Sequence, residues 1–273
     1  MPTAQAESSL LLLILASVVV ALMAHVGFGY LRRLRLSPGL QGLRSQWLPI
    51  ALVAAVLGTG LCASMVLALG AEALKFPIGY AAMWAPLLWL AACLACLPVV
   101  VLVIAGAGSI WLWLGGAVVG ALATLVQAGW VEAIGFRPGV LWNTELQVLA
   151  ALVQVAAWSA AFWLALSAFT AEDERALTWR GTAVLLLVLA TAGAQEVLIT
   201  AAGLSAQVGS VYAQQVSGAW LCVFAGSVVP VLFAFLAVGL ALQTTTRRRS
   251  RRQSAELPGS ARKRRRRHRI RTL

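Results

Sequence analysis

Residues 48–70 read LPIALVAAVLGTGLCASMVLALG and contain no charged side chain. A run of about 18 or more apolar residues is long enough to cross a bilayer as an α-helix. Six further runs of this kind occur, and only Glu132 and Glu196 place a charge inside any of them. The seven runs are 10–30, 48–70, 83–105, 111–134, 146–169, 182–202 and 219–242. Because 61% hydrophobic and 11% charged residues cannot cover a soluble surface, we predict an all-α polytopic membrane protein with seven transmembrane helices.

Basic residues are concentrated in alternate loops, and this asymmetry predicts the orientation. They follow the first, fifth and seventh runs, as Arg32, Arg33, Arg35, Arg44, Arg175, Arg180 and the arginines from Arg247 onward. The other loops carry Lys75, Arg137 or no basic residue, and loop 106–109 carries no charge at all. Since Lys and Arg are retained on the cytoplasmic side, we expect a multi-pass cell-membrane protein with its N-terminus outside and its C-terminus in the cytoplasm.

The first run resembles a retained span more than a cleaved signal peptide. Residues 1–9 before it include Glu7 and no basic residue, whereas a signal peptide begins with a positively charged segment. Four arginines follow the run within residues 32–44, as expected at the cytoplasmic end of an anchored helix.

The C-terminal segment is strongly basic, and we divide the chain into a membrane domain at 1–242 and a disordered cytoplasmic tail at 243–273. Thirteen of the 21 basic residues lie beyond Gln243, and they supply most of the net charge of +12. Such a tail fixes topology and attracts anionic lipid head groups, at about 1 kcal/mol per basic residue near the surface. Nucleic-acid binding is disfavoured, since no aromatic residue interleaves the basic run.

Signatures of catalysis and of cofactor binding are absent from the sequence. It contains no phosphate-binding G-x-x-x-x-G-K-[ST] and no H-E-x-x-H, so we expect no enzymatic activity and no cofactor. Cys93 and Cys96 form a C-x-x-C deep in the third run. At that depth the pair is interpreted as two small packing residues rather than a redox or copper site.

The second, fourth and sixth runs resemble one another, and each is predicted to cross the membrane from the cytoplasmic side to the outer side. They read LGTGLCASMVLALGAEALKFPIGY (57–80), VVGALATLVQAGWVEAIGFRPGV (118–140) and LATAGAQEVLITAAGLSAQVGS (189–210). Aligned on Met65, Val126 and Glu196, they predict a repeated two-helix unit with one helix left over. Each carries small residues at spacings of three and four, which let helices approach closely in lipid.

At this level the chain resembles the MHYT-domain membrane sensors of bacteria. The resemblance extends to about Leu242 and is carried by the order and spacing of several short segments. They are GTGLCA (58–63), FPIGY (76–80), Gly115-Gly116 with Gly129, WSAAFWL (158–164), AGA (192–194) and Ala201-Ala202. Members have seven spans and three Met-His-x-x-Gly-Met-like motifs at the outer ends of the second, fourth and sixth helices. The resemblance thus implies a signalling protein that senses a small ligand near the outer face.

The motif residues themselves have diverged. The family's histidine positions fall on Met65, Val126 and Glu196, and its methionine positions on Ser64, Leu125, Gln195, Leu69, Trp130 and Thr200. The resemblance implies that these residues would gather around a metal such as copper, for which imidazole and thioether are suitable ligands. Only Met65 offers a soft ligand here, so we expect the ancestral copper and gas-sensing site to be lost and no metal to be bound.

Glu196 is the most informative residue that remains at these positions. A carboxylate at membrane depth is costly and usually has a partner or a function. One interpretation is a proton- or cation-responsive group, with Glu132 and Gln127 as neighbours and Lys75 or Arg137 as a basic partner. The other is a hydrogen-bonded Glu that holds helices together.

We therefore predict a divergent, stand-alone MHYT-like protein acting as a non-enzymatic sensor or signalling component. Its signal would pass through the cytoplasmic loops, the tail or a separate cytoplasmic signalling protein. Two other classes remain open: a small transporter or channel, and a structural partner of another membrane protein. Transport typically uses paired broken helices and several buried charges.

Overall fold

The computed structural model describes residues 2–35, 47–72, 74, 76–170, 173–204 and 207–256. Within them, seven helices are long and apolar enough to cross a membrane, which confirms the prediction of an all-α polytopic membrane protein. These spans are Ser9–Arg35, Trp47–Ala71, Trp84–Ile104, Ser109–Glu132, Thr144–Ser167, Ala176–Ala201 and Gly218–Leu242. The protein is therefore multi-pass and contacts the lipid bilayer.

The helices extend beyond several of these spans, and four two-residue strands lie between them. The helices are α1 (Pro2–Arg35), α2 (Trp47–Ala71), α3 (Trp84–Ile104), α4 (Ser109–Glu132), α5 (Thr144–Thr170), α6 (Asp173–Ala201), α7 (Gly218–Val223) and α8 (Val229–Glu256). The strands are β1 (Gly79–Tyr80), β2 (Phe136–Arg137), β3 (Gly209–Ser210) and β4 (Val216–Ser217).

The seventh span is interrupted where α7 meets α8. A π-helical segment, Phe224–Val228, joins them, and the Val229 amide donates to the Phe224 carbonyl five residues earlier. Pro230 follows immediately and has no N–H, so the regular α-helical hydrogen bond to residue 226 is missing. The wider turn accommodates this loss, as π-bulges commonly do.

The first six spans form a closed bundle, with the seventh packed outside it. Each span contacts the next, and α1 also contacts α6, which closes the ring. The second span is the most enclosed, with 78% of its most apolar stretch buried. Its helix, α2, contacts α4 and α6 as well as its chain neighbours α1 and α3. The seventh span is only 17% buried and lies against α1 and α2, so most of its surface faces lipid.

Glycines set the closest helix contacts in two of the three related helices. A Cβ on Gly58 of α2 would lie 2.5 Å from the Cys93 backbone nitrogen of α3, and one on Gly116 of α4 would lie 2.6 Å from Ser159 Cα of α5. These backbones approach closely because no side chain separates them. In α6, by contrast, Gly193 faces open space, so the small residues of that helix do not all serve helix packing.

The three loops after α2, α4 and α6 are joined into one cap. Strand β1 pairs with β4 and β2 pairs with β3, both antiparallel. The Ser210 hydroxyl lies 2.7 Å from the Ile134 carbonyl and 3.2 Å from the Gly79 carbonyl, so it can donate to either and links all three loops. These loops therefore share one face of the bundle, as expected from alternating spans, and this is the face predicted to lie outside.

The predicted tail begins inside a helix. α8 continues from the seventh span to Glu256, through residues 243–256, a segment that lacks Gly and Pro and contains five arginines, which favour helix. Residues 257–273, which hold most of the predicted disordered tail, lie outside the described residues.

The orientation remains a prediction, and cysteine labelling tests it. We expect a thiol introduced by Ser254→Cys to react with an impermeant reagent only after the cell is opened. A thiol introduced by Val208→Cys, at a side chain 79% exposed in the cap, should react in intact cells. Both variants are made in a Cys222→Ser background, because Cys222 is partly exposed whereas Cys62, Cys93 and Cys96 are buried. Labelling of the Ser254 variant in intact cells would contradict the orientation.

Candidate functional site

The three aligned motif positions do not face the same way. Met65 is completely buried in α2, and Val126 is 8% exposed in α4. Glu196 is exposed on α6 and points away from the core. Successive residues of a helix are rotated by about 100°, so a shift of one residue changes which side chain faces inward. In α6 the inward residue is Gln195 rather than Glu196.

Gln195 connects α6 to the central helix α2. Its Nε2 donates a hydrogen bond of 2.9 Å to the Ser64 hydroxyl, and that hydroxyl lies 2.9 Å from the Leu61 carbonyl of its own helix. Both side chains are buried, at 2% and 0% exposed. A hydrogen bond of this kind across helices in lipid is worth about 0.6 kcal/mol on average. It ties the residue next to Glu196 directly to the centre of the bundle.

Of the two methionine positions on α4, Leu125 is 67% exposed, and the other is filled by a buried aromatic side chain. Trp130 is 4% exposed and meets the Tyr80 ring edge to face, with centroids 5.4 Å apart. Its indole lies beside the Cys62 thiol, and within the described part of the chain its Nε1 has no hydrogen-bond partner at ordinary distances. Burial raises the pKa of Tyr80, which lies in the loop after α2 and stays neutral at physiological pH. Trp130 thus fills this part of the core with a bulky aromatic side chain.

The residues at the motif positions do not fit a copper ion. Met65 is the one soft donor among the positions aligned on the family's histidines, Val126 has no donor atom, and Glu196 faces out of the bundle. Among the described residues, no three His, Cys, Asp or Glu side chains are grouped closely enough to hold a metal. Cys93 and Cys96 are buried free thiols, and the backbone of Cys93 packs on Gly58.

Glu196 instead borders a cavity between α1 and α6. The cavity has a volume of about 130 Å³ and is lined by side chains of α1, α2 and α6: Leu13, Ala16, Ser17, Val20, Ala68, Val188, Ala192, Gln195 and Glu196. Alanine and serine supply much of the wall, so the space exists because these side chains are short. We call it the α1–α6 groove. It combines an apolar wall with an amide and a carboxylate on one side.

A second carboxylate, Glu72, lies near this groove. It follows α2 directly, outside the membrane-spanning segment, and is half-buried. Burial raises the pKa of Glu72 above its usual value, and the negative charge of Glu196 raises it further. Within the described part of the chain, neither carboxylate has an ion-pair partner. Lys75, one of the basic residues expected on this side, lies outside the described residues.

The other expected neighbours of Glu196 are engaged elsewhere. Glu132 is exposed and accepts a hydrogen bond from the Trp142 indole. Gln127 is buried in α4 and accepts from Gln154 of α5 at 3.1 Å. Arg137 is exposed and belongs to β2, where its backbone pairs with Gly209. The acidic partner of Glu196 is therefore Glu72, which the sequence did not single out because it lies just beyond an apolar run.

The core also contains a polar chain that sequence inspection missed. Gln154 Nε2 donates to Gln127 Oε1, and the Trp158 indole donates to Gln154 Oε1 at 3.0 Å. Gln154 and Trp158 are both 0% exposed, so this chain lies in the middle of the bundle between α4 and α5. Isolated glutamines within apolar runs were the available signal, since a buried amide in lipid needs a partner.

Comparison of the chain with protein-family models, with curated proteins and with solved structures found no match.

Proposed function

We propose that this chain is a membrane sensor or signalling component without catalytic activity, and that Glu72 and Glu196 form its responding group. One observation carries the proposal: two carboxylates interact beside the α1–α6 groove without an ion-pair partner among the described residues. A divergent relationship to the MHYT sensors is part of this proposal. In that view the responsive site has moved from the bundle core to the seam between α1 and α6.

Like charges held close together respond to protonation or to a cation. The raised pKa of Glu72 means that the folded protein keeps this proton to a higher pH than the unfolded chain does. The corresponding stability is present below the ordinary pKa near 4.5 and is lost as the pH rises through the folded value. Repulsion between the two carboxylates then appears, and it favours separation of the outer ends of α2 and α6.

The hydrogen bond between Gln195 and Ser64 offers a route from this pair into the bundle. Gln195 is adjacent to Glu196, so a movement of α6 that relieves repulsion also strains that hydrogen bond. α6 runs as one helix from this region to the opposite end of the bundle, over Asp173–Ala201. A response at the groove would thereby reach the predicted cytoplasmic side, where a separate signalling protein could read it.

Transport is the second candidate, and the break in the seventh span favours it. Interrupted helices line substrate sites in many transporters. Here the interruption at Phe224–Val228 lies in the least buried span. A substrate path would be expected between enclosed helices, so we rank transport below sensing. A structural role beside another membrane protein would use the same lipid-facing seventh span.

Substitution of the two carboxylates tests the proposal. In lipid nanodiscs we expect wild-type protein to show a pH-dependent change in hydrogen exchange along α2 and α6, with a midpoint above about 4.5. Glu196→Gln should lower that midpoint because it removes the neighbouring charge, and Glu72→Gln should abolish it. Glu132→Gln is the matched control, since it neutralises an exposed carboxylate bonded to Trp142.

Infrared titration of the carboxyl band identifies the group that takes up the proton. The proposal predicts a carboxyl band whose titration is lost in the Glu72→Gln variant and whose midpoint is lowered in the Glu196→Gln variant. A midpoint that Glu196→Gln leaves unchanged, or a titration without any change in α2 and α6, would refute it.

A further inference from the structure

Two arginines lie near each other at the opposite end of the same helix seam, where α1 packs against α6. Arg32 lies in the last turn of α1, and Arg180 lies near the start of the span in α6. Both are partly buried, and they are close enough to repel each other. The Arg32 Nε atom is buried and has no hydrogen-bond partner among the described residues. Neither guanidinium is paired with a carboxylate in the described part of the chain.

This arrangement is unfavourable unless an anion completes it. Two like charges at the edge of a membrane domain repel each other, and a buried N–H without an acceptor costs free energy comparable to a lost hydrogen bond. A phosphate group removes both costs, since its oxygens accept from planar guanidinium groups in pairs. A single phosphate between the two side chains would be held from α1 and from α6 at once.

Aromatic side chains near Arg180 indicate the depth of this end in the membrane. Trp179 lies 5.8 Å from Trp163 between ring centroids, and Trp163 lies 6.3 Å from Trp113. Tryptophan collects at the level of lipid head groups, where its ring is apolar and its N–H meets water. The row therefore places Arg180, the next residue after Trp179, at the depth of lipid phosphates.

We propose that Arg32 and Arg180 form a binding site for a phosphate group, supplied by an anionic lipid of the leaflet at this end of the bundle. The site is separate from the carboxylate pair near the opposite end of α6 and does not depend on the proposed sensing role. It is also separate from the basic tail, because both arginines belong to the helix bundle. Bound lipid would fasten α1 to α6 across the seam that contains the α1–α6 groove.

The test compares the full chain in nanodiscs of phosphatidylcholine alone and of phosphatidylcholine mixed with phosphatidylglycerol. It is run at about 1 M salt, where the Debye length of about 3 Å screens exposed tail contacts more than partly buried ones. We expect phosphatidylglycerol to raise the melting temperature of the wild type. Arg32→Gln and Arg180→Gln should each weaken binding of this lipid about tenfold, as loss of a charged hydrogen-bond donor predicts. The rise in melting temperature that phosphatidylglycerol causes should therefore be smaller in both variants.

Two controls separate this site from general attraction between charges. Arg137→Gln removes one charge from the loop cap at the other end of the bundle, and Arg247→Gln removes one from the predicted tail. In both variants phosphatidylglycerol should raise the melting temperature as much as in the wild type. In phosphatidylcholine alone, Arg180→Gln should melt no earlier than the wild type because it relieves repulsion. Arg180→Lys keeps the charge but loses the planar guanidinium group, so the rise in melting temperature should lie between those of the wild type and Arg180→Gln.

Inorganic phosphate added to the phosphatidylcholine discs identifies the source of the anion. If phosphatidylglycerol raises the melting temperature and inorganic phosphate does not, the lipid site is supported. If inorganic phosphate gives an equal rise that both arginine variants lose, the same site is assigned to a soluble phosphate. The proposal is overturned if both arginine variants keep the wild-type gain at high salt. It is equally overturned if Arg247→Gln loses as much of the gain as they do.

Discussion

Gly120→Ala is expected to lower the free energy of unfolding by about 1–3 kcal/mol, although it adds only one methyl group. A Cβ at this position in α4 would lie 2.6 Å from the Gln154 carbonyl oxygen and 2.6 Å from Val155 Cα in α5. Both atoms belong to the backbone, so no side-chain rotation relieves the clash. The two helices must move apart, and in lipid their association depends on this close packing.

Gly193→Ala is the matched control for this experiment. It makes the same change inside a transmembrane helix, but nothing lies within 4 Å of the added methyl group. We expect no loss of stability, since alanine favours the helix over glycine. Unfolding both variants in the same detergent measures the difference. Equal stabilities would show that the α4–α5 contact is looser than the structure indicates.

The seven spans were predictable because the signal for each is local. Length and absence of charge suffice to identify a helix that crosses a bilayer, and every predicted run overlaps one observed span. The loop cap was not predictable in this way. Gly79 pairs with Ser217 and Phe136 pairs with Ser210, and two-residue strands formed across such sequence distances leave no pattern in either segment.

Which face of each helix points inward was much harder to predict than the helix itself. A soluble helix shows an apolar stripe, but a helix in lipid is apolar on all sides, so periodicity does not indicate its buried face. The alignment of Glu196 with Met65 and Val126 suggested three equivalent positions. The structure buries Met65 and Val126 and exposes Glu196, and the buried residue of α6 is its neighbour Gln195.

The candidate site was only partly predictable for the same reason. Glu196 was singled out because its charge is unusual within an apolar run. Its relation to Glu72, the groove beside it and the repulsion between Arg32 and Arg180 all depend on how α1, α2 and α6 are rotated. Those rotations are set by packing contacts, such as Gly60 against Met23, which join residues far apart in the sequence.

Gln154→Leu is expected to destabilise the protein by about 2 kcal/mol, within the range for stranding buried polar groups in a helix bundle. Gln154 donates to Gln127 Oε1 and accepts from Trp158 Nε1, so the change leaves two buried groups without partners. Gln127→Leu should cost less, about 1 kcal/mol or below. It strands only the Gln154 amide and also removes the Gln127 Nε2 group, which is buried without a partner.

The double variant Gln127→Leu/Gln154→Leu provides the sharpest test of this polar chain. It strands only the Trp158 indole, because both amides are replaced by apolar side chains of similar size. Replacing both partners of a buried hydrogen bond is less costly than removing one. We therefore expect the double variant to unfold at higher denaturant than Gln154→Leu alone, a partial rescue by a second substitution. If the double variant instead loses as much stability as the two single variants together, Gln127 and Gln154 are not hydrogen-bonded in the folded protein.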